Sequence, residues 1–326
     1  MESQRLIVIV DGTWNRADPP PGVERTNAAR IAQSIPRLGG DGVRQTVFYL
    51  EGIGTRGKAD AHLKAYTGHG IRRLIRACYL FLAHNWREGD QVFFVGVSRG
   101  AFVLRRLSEW IAERGLLEPG NLGGLEADWL SFRDHGQTRQ RAREITIRFF
   151  GAFDMVDALG VPLPGFRGWS APKVGTREPL LPAIVESARH ALAADELRGA
   201  FEPTLWIVPP DDKRTVEQVW FAGAHGDVCG GFGNRALSDV SLEWMVGQAR
   251  AAGLAIDEPR LAIDLSAEPT AQRKGLHLLL PVLDRRPLET SPHTESLHPS
   301  FLEKAKMEPY ARAPVVVRLR QKGVIP

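Results

Sequence analysis

The sequence predicts an α/β protein with a mostly parallel central sheet and helices on both faces. Three observations carry this expectation. Short, continuous apolar runs rich in β-branched and aromatic residues recur along the chain, as strands buried on both faces require. Between them lie stretches with apolar residues at three- and four-residue spacing, the period of an amphipathic helix. The third observation is Gly96-Val97-Ser98-Arg99-Gly100, which joins one such run, Val92-Phe93-Phe94-Val95, to one such helix. A Gly-x-Ser-x-Gly turn between strand and helix has the form of a nucleophile elbow. The serine occupies a strained turn there, and a Cβ at either glycine would crowd a neighbouring strand or helix.

The strand–helix alternation runs to about residue 252 without a break in composition. Residues 1–326 are therefore expected to form one domain, with a core over about 5–252 and a C-terminal extension, 253–326, as lid or interface. Hydrophobic residues at 43% and charged residues at 25% are ordinary for a globular protein, and a chain this long buries a core without staples. The net charge, 42 minus 38 or +4, is mild. Arg72-Arg73 and Arg139, Arg141 and Arg143 are local clusters without interleaved aromatics, so they read as solvated helix faces and not as a nucleic-acid surface. Cys78 and Cys229 make neither a disulfide framework nor a zinc site, and Cys229 has no base at a useful spacing, so both read as structural. No metal or cofactor is expected. No run reaches the roughly 18 apolar residues of a membrane span, and Leu6-Ile-Val-Ile-Val10 is too short for a signal core. A soluble, cytoplasmic protein is the default expectation, with the oligomeric state left open.

In chain order, residues 5–10 predict the first strand, ending in Asp11-Gly12-Thr13-Trp14-Asn15 at the carboxyl end, where α/β proteins build their sites. Thr26 or Asn27 caps a helix to about residue 35. Residues 45–50 form a second strand, 70–86 a long helix, 91–95 the central strand and 101–114 the helix after Ser98. Residues 144–150 form a further strand that ends at Asp154. The proline-rich stretch 161–182 reads as a lid loop, and 183–199 as a helix carrying His190 and Asp195. Residues 215–222 form the last clear core strand, which delivers His225 in a glycine-rich turn, and 238–251 a helix. Beyond it lie an apolar run at 276–282 and an edge strand at 315–319.

Ser98, Asp154 and His225 thus fall at three strand ends, in the chain order nucleophile, acid, histidine. The chemistry needs each type. A serine hydroxyl is a weak nucleophile at neutral pH, a histidine takes its proton and returns it to the leaving group, and a carboxylate fixes the tautomer and stabilises the imidazolium. Backbone amides of Arg99 and of the Gly12/Thr13 loop would hold the oxyanion, at about 3–4 kcal/mol per donor, with Asp11 bracing the loop. His190 and His298 remain alternatives for the base, and Asp157 and Asp227 for the acid. Two other readings stay open: a hydrolase-fold binding module without turnover, and a phosphohydrolase using Asp11 and a metal.

Asp11-Gly-Thr-Trp-Asn15, Thr26-Asn27, Gly52-Ile-Gly-Thr55, Gly96-Val-Ser-Arg-Gly-Ala101, Phe153-Asp154, His190 with Asp195-Glu196, and Ala224-His225-Gly-Asp-Val228 with Gly230-Gly231 appear in this order over residues 5–245. Together they resemble the DUF2235 family of α/β-hydrolase-like proteins, which includes type VI secretion lipase effectors of the Tle1 group. The resemblance implies an α/β-hydrolase fold, a Ser98–Asp154–His225 triad, lipid or other carboxylic ester substrates, peripheral lipid contact without a membrane span, and export by a type VI system. Met155 and Cys229 depart from the family's usual threonine and glycine.

Overall fold

The computed structural model describes residues 3–54, 68–133, 142–157, 178–270, 282 and 284–326. The architecture is α/β, as expected. Among these residues seven strands form one sheet in the order β2-β1-β3-β4-β5-β6-β7, and every neighbouring pair is parallel. The strands are β1 Gln4–Val10, β2 Arg44–Leu50, β3 Gln91–Val97, β4 Phe149–Phe153, β5 Ser187–Ala193, β6 Thr215–Phe221 and β7 Glu295–Leu297. The helices are α1 Asn27–Ser34, α2 Gly68–Asn85, α3 Arg99–Arg114, α4 Leu125–Arg133, α5 His225–Cys229, α6 Ser238–Ala251, α7 Pro299–Lys304 and α8 Pro314–Gln321.

The apolar runs explain the layering. A strand alternates its side chains, so a continuous apolar run feeds two cores at once. Leu6, Val8 and Val10 of β1 join Phe94 of β3 in a core under α2 and α3, with Ile75, Tyr79, Leu104 and Trp110. Ile7 and Ile9 join Phe93 and Val95 in the opposite core, with Ile31 of α1 and Met245 of α6. Each fully buried Ile or Phe contributes about 1.5–3 kcal/mol. A third core packs α7 and α8 on the far flank, around Trp220, Phe301, Val316 and Leu319. The chain runs from β1 to β2 on one side and then to β3 on the other. Their carboxyl ends therefore flank a topological switch point, where α/β sheets place ligands.

Several elements differ from expectation. The stretch around His190 is strand β5, not a helix. Its alanines favour helix in isolation, but between β4 and β6 the segment is buried on both faces, and that environment outweighs propensity. Residues 315–319 lie in helix α8, because Pro314 opens a helix and Val315, Val316 and Leu319 share one buried face. The edge strand is instead the three-residue β7. The extension expected over 253–326 thus adds a strand to the sheet. Arg143 is not on a solvated face: its guanidinium donates to the carbonyls of Ala83, Trp86 and Leu117. Residues 161–177 of the expected lid loop, 161–182, and all but Val282 of the apolar run at 276–282 lie outside the described residues. Among the described residues, no helix is long and apolar enough to cross a membrane.

Candidate active site

Ser98 follows β3 and precedes α3, with φ 53° and ψ −123°. That is a costly conformation for a residue with a side chain, and the glycines beside it show what enforces it. A Cβ on Gly96 would lie 2.5 Å from Ala101 Cα, and one on Gly100 would lie 2.2 Å from Val10 O. Both obstacles are backbone, so strand β1, strand β3 and helix α3 approach as closely as they do only without those side chains. Trp14 and Asp154 also carry positive φ, at 66° and 41°. The three strained residues end neighbouring strands or their loops, and the Arg99 guanidinium lies 5.6 Å from the Trp14 ring centre.

The β1 loop lies directly against the serine. A Cβ on Gly12 would sit 3.6 Å from Ser98 Cβ. Asp11 is 1% exposed and braces this loop. Its Oδ1 accepts the Gly12 amide at 2.7 Å, and its Oδ2 accepts the hydroxyls of Thr26 at 2.8 Å and Tyr49 at 2.6 Å. Burial pushes its carboxyl up to about 6, against the lowering effect of those three donors. The Gly12 amide, expected as an oxyanion donor, is therefore engaged by Asp11. Among the described residues the Thr13 amide has no acceptor, and Thr13 Oγ1 is buried without a partner. The Arg99 amide lies at the N-terminal end of α3, directly after Ser98.

Asp154 ends β4, one strand over from Ser98. The Ser98 amide donates to Phe153 O at 2.8 Å, which ties the two strand ends together. The Asp154 carboxylate is fully buried and accepts four hydrogen bonds. Its Oδ2 meets His225 Nδ1 at 2.6 Å and Arg285 Nη2 at 3.0 Å. Its Oδ1 accepts Arg285 Nη1 at 2.8 Å and the Ala193 amide at 3.0 Å. Burial alone would raise its pKa, but the Arg285 cation and the His225 contact overcome that and hold it well below the usual carboxylate range. An ionised carboxylate only accepts, so His225 Nδ1 donates to it and Nε2 is the ring nitrogen left to face outward chemistry.

His225 opens the short helix α5, which packs against β5 and meets the end of β4 through His225 and Cys229. Cys229, one turn later, places Sγ 3.5 Å from Phe153 O, the same carbonyl that holds the Ser98 amide. Contrary to expectation, a base does adjoin this cysteine: its sulfur lies 3.8 Å from His225 Nε2. Burial and the Asp154 carboxylate raise its pKa well above the usual value, so it remains a thiol. The His225 ring meets the Phe201 ring edge at 4.9 Å, and the Arg198 guanidinium stacks 3.7 Å over Phe201. The three amides leading into α5 are each bonded by a carboxylate, those of Asp227 and Glu196 buried and that of Asp195 half-buried. Gly223 donates to Asp195 at 2.7 Å, Ala224 to Asp227 at 2.9 Å and His225 to Glu196 at 3.2 Å.

Asp154 and His225 are thus brought into contact beside the Ser98 turn. Among the described residues no hydrogen bond joins Ser98 to His225. His190 sits apart from the reacting positions: burial pushes it down to about 4, and its Nε2 accepts the Met155 amide at 2.9 Å. His298 caps α7 and stacks on Phe221. Asp157 faces Arg105 at 3.7 Å, and Asp227 braces the turn before His225. No group of three or more metal-ligating side chains occurs among the described residues. Sequence reasoning missed Arg285 and Glu196 as site residues. Arg285 lies 131 positions from Asp154, in a stretch with no local pattern to mark it.

Two solved structures resemble the fold at 17% identity. One is the Tle1 effector bound to the VgrG spike of the type 6 secretion system, with a TM-score of 0.42 over 71% of this chain and 51% of that one. The other is an uncharacterized protein from Pseudomonas aeruginosa, with a TM-score of 0.45 over 78% of this chain and 47% of that one. An uncharacterized protein of Saccharomyces cerevisiae, YEL023C, is 26% identical over 245 residues, 64% of this chain and 33% of its own length. The chain therefore spans about a third of that relative and about half of each solved chain. The family model for the catalytic domain of Tle1-like phospholipase effectors of the type VI secretion system matches residues 4–248, and the chain belongs to that family.

Proposed function

We propose that the protein is a serine hydrolase that cleaves carboxylic esters, phospholipid esters among them, through an acyl-enzyme intermediate. The observation that carries this reading is the 2.6 Å contact between His225 Nδ1 and the ionised Asp154, placed beside a serine on a strained strand–helix turn. In this reading His225 Nε2 takes the Ser98 proton as Oγ attacks the ester carbonyl. The amides of Arg99 and Thr13 receive the oxyanion. The alcohol leaves with the proton from Nε2, and water then repeats the sequence to release the acid. Contacts between the hydroxyl and the imidazole are often long in unliganded sites and close when substrate binds.

A second reading is favoured by one observation, the lack of a hydrogen bond between Ser98 and His225: a hydrolase fold that binds without turnover. Hydrolysis of a panel of short-chain esters and phospholipid vesicles separates the two. The proposal expects turnover by the wild type and loss of at least about a thousandfold in Ser98→Ala, with an unchanged circular dichroism spectrum. Equal rates in both proteins would sink it. Phospholipid cleavage in the panel would favour a lipid substrate like that in the family's description, and delivery by a type VI apparatus belongs to the same proposal.

A further inference from the structure

The match to the family's catalytic domain ends at residue 248, yet the segment beyond it reaches the site at three points. Arg285 grips both oxygens of Asp154. Tyr310 donates its hydroxyl to Asp195 at 2.7 Å, and that same Asp195 oxygen holds the Gly223 amide. Thr270 bonds both oxygens of Asp227, through its amide at 2.8 Å and its hydroxyl at 2.6 Å, and Asp227 holds the Ala224 amide. Asp154 carries the His225 ring, and Asp195 and Asp227 fix the two residues before it. Each of these carboxylates is thus braced from a part of the chain outside the catalytic-domain match.

We propose that the C-terminal segment completes the catalytic site, with Arg285 as a positioning residue that orients the Asp154 carboxylate and keeps the Asp154–His225 pair free of a second proton. The proposal rests on the serine-hydrolase reading above. The arrangement is built for the purpose. Arg285 is 2% exposed, and its fork also donates to Ala193 O at 3.2 Å and Phe201 O at 2.6 Å. Arg318 of α8 holds the Arg285 carbonyl at 2.7 Å. A fork bonded to two carboxylate oxygens and two carbonyls cannot rotate, so the carboxylate plane that faces His225 is fixed.

With neutral His225, the ionised Asp154 and Arg285 sum to zero, and a proton arriving on the pair leaves a net positive charge in a buried place. Without Arg285 the same proton neutralises a buried negative charge, so it is taken up more readily. Among the described residues, the other charged and titratable groups packed on the pair are Glu196 with its partner Arg198, Cys229 on the same helix as His225, and His190 behind Met155. Cys229 and His190 are neutral, and the Glu196–Arg198 pair sums to zero, so none of them replaces the missing cation.

The test is the rate of fluorophosphonate labelling against pH for the full chain, for wild type, Arg285→Gln, Arg285→Lys and Ser98→Ala. In Arg285→Gln the midpoint of the acid limb should rise by about one pH unit or more, with labelling at pH 7 lowered roughly tenfold and recovering at high pH. Arg285→Lys keeps the cation and loses the fork, so its midpoint should stay at the wild-type value while its rate falls several-fold. A folded Arg285→Gln with an unmoved midpoint overturns the proposal, even if its rate is lower. Should the glutamine variant not fold, the lysine variant decides: a raised midpoint or an unchanged rate overturns it. No labelling of the wild type overturns the serine-hydrolase reading, and this proposal with it. Labelling that depends on Ser98 but not on Arg285 overturns this proposal alone.

Discussion

Around Ser98 there is no room for a Cβ at two positions. One on Gly96 would meet the backbone of α3, and one on Gly100 the backbone of β1. Around His225 the constraint is of another kind. Three successive amides are each bonded to a different carboxylate, and the ring is bonded to a fourth. The serine is thus positioned by shape, through residues close to it in sequence or on the adjoining strand. The histidine is positioned by charge and hydrogen bonds, through partners as distant as Arg285 and Tyr310. Steric constraints do not titrate. Carboxylate constraints do, and they fail one partner at a time. The two flanks of one site should therefore break in different ways.

Shape should break hardest. Gly100→Ala forces backbone to move on β1 or α3 and should cost more than about 3 kcal/mol by urea denaturation, or prevent folding. Gly40→Ala is the control: it meets nothing within 4 Å and has no positive φ, so it should change stability by no more than about 1 kcal/mol, in the stabilising direction. Equal costs at the two positions would show that crowding is not what fixes the elbow.

Asp11 is a titrating element on the serine flank, and it sharpens the comparison. Its folded carboxyl, raised from 3.8 to about 6, binds its proton more tightly than the unfolded chain does. Stability from this group is therefore full below about pH 4 and is lost as pH rises to about 6, by roughly 3 kcal/mol. Asp11→Asn mimics the protonated form and should flatten that slope. A wild type whose stability relative to Asp11→Asn does not fall between those pH values contradicts this account. Asp154, held low, works the other way: its contribution is present above the ordinary carboxylate range and is lost only in strong acid.

What was legible in the sequence follows the same division. The strands β1, β2, β3 and β6, the helix after Ser98 and a cap at Thr26 or Asn27, which the structure places at Thr26, are local patterns, and each was readable from a few consecutive residues. The elbow glycines were readable for the same reason, since their neighbours in space are set by a strand and helix that announce themselves. Strand β5 was not, because Ala188, Ala191 and Ala193 become strand only through the partners on either side. Helix α8 was not, because Val315-Val316-Val317 suits a strand until Pro314 and the buried Leu319 are weighed. The turn that carries His225 was readable, but its supports were not. Arg285, Tyr310 and Thr270 meet their carboxylates across 131, 115 and 43 residues of chain, and no local spacing encodes such contacts.

The smallest effect expected is on the outermost of those supports. Tyr310→Phe removes one hydrogen bond to Asp195, whose pKa burial already raises. It should cost about 1–2 kcal/mol and lower labelling a few-fold, with Ser98 still reactive. A loss as large as that from removing Arg285 would mean that the turn, and not the Asp154 carboxylate, limits the chemistry.

The most direct test of the central claim is labelling of the purified protein by a fluorophosphonate probe, with wild type beside Ser98→Ala and His225→Ala. The account predicts labelling of the wild type alone, located to Ser98 by peptide mass spectrometry. A folded wild type that resists the probe, or one labelled equally well without His225, would contradict it.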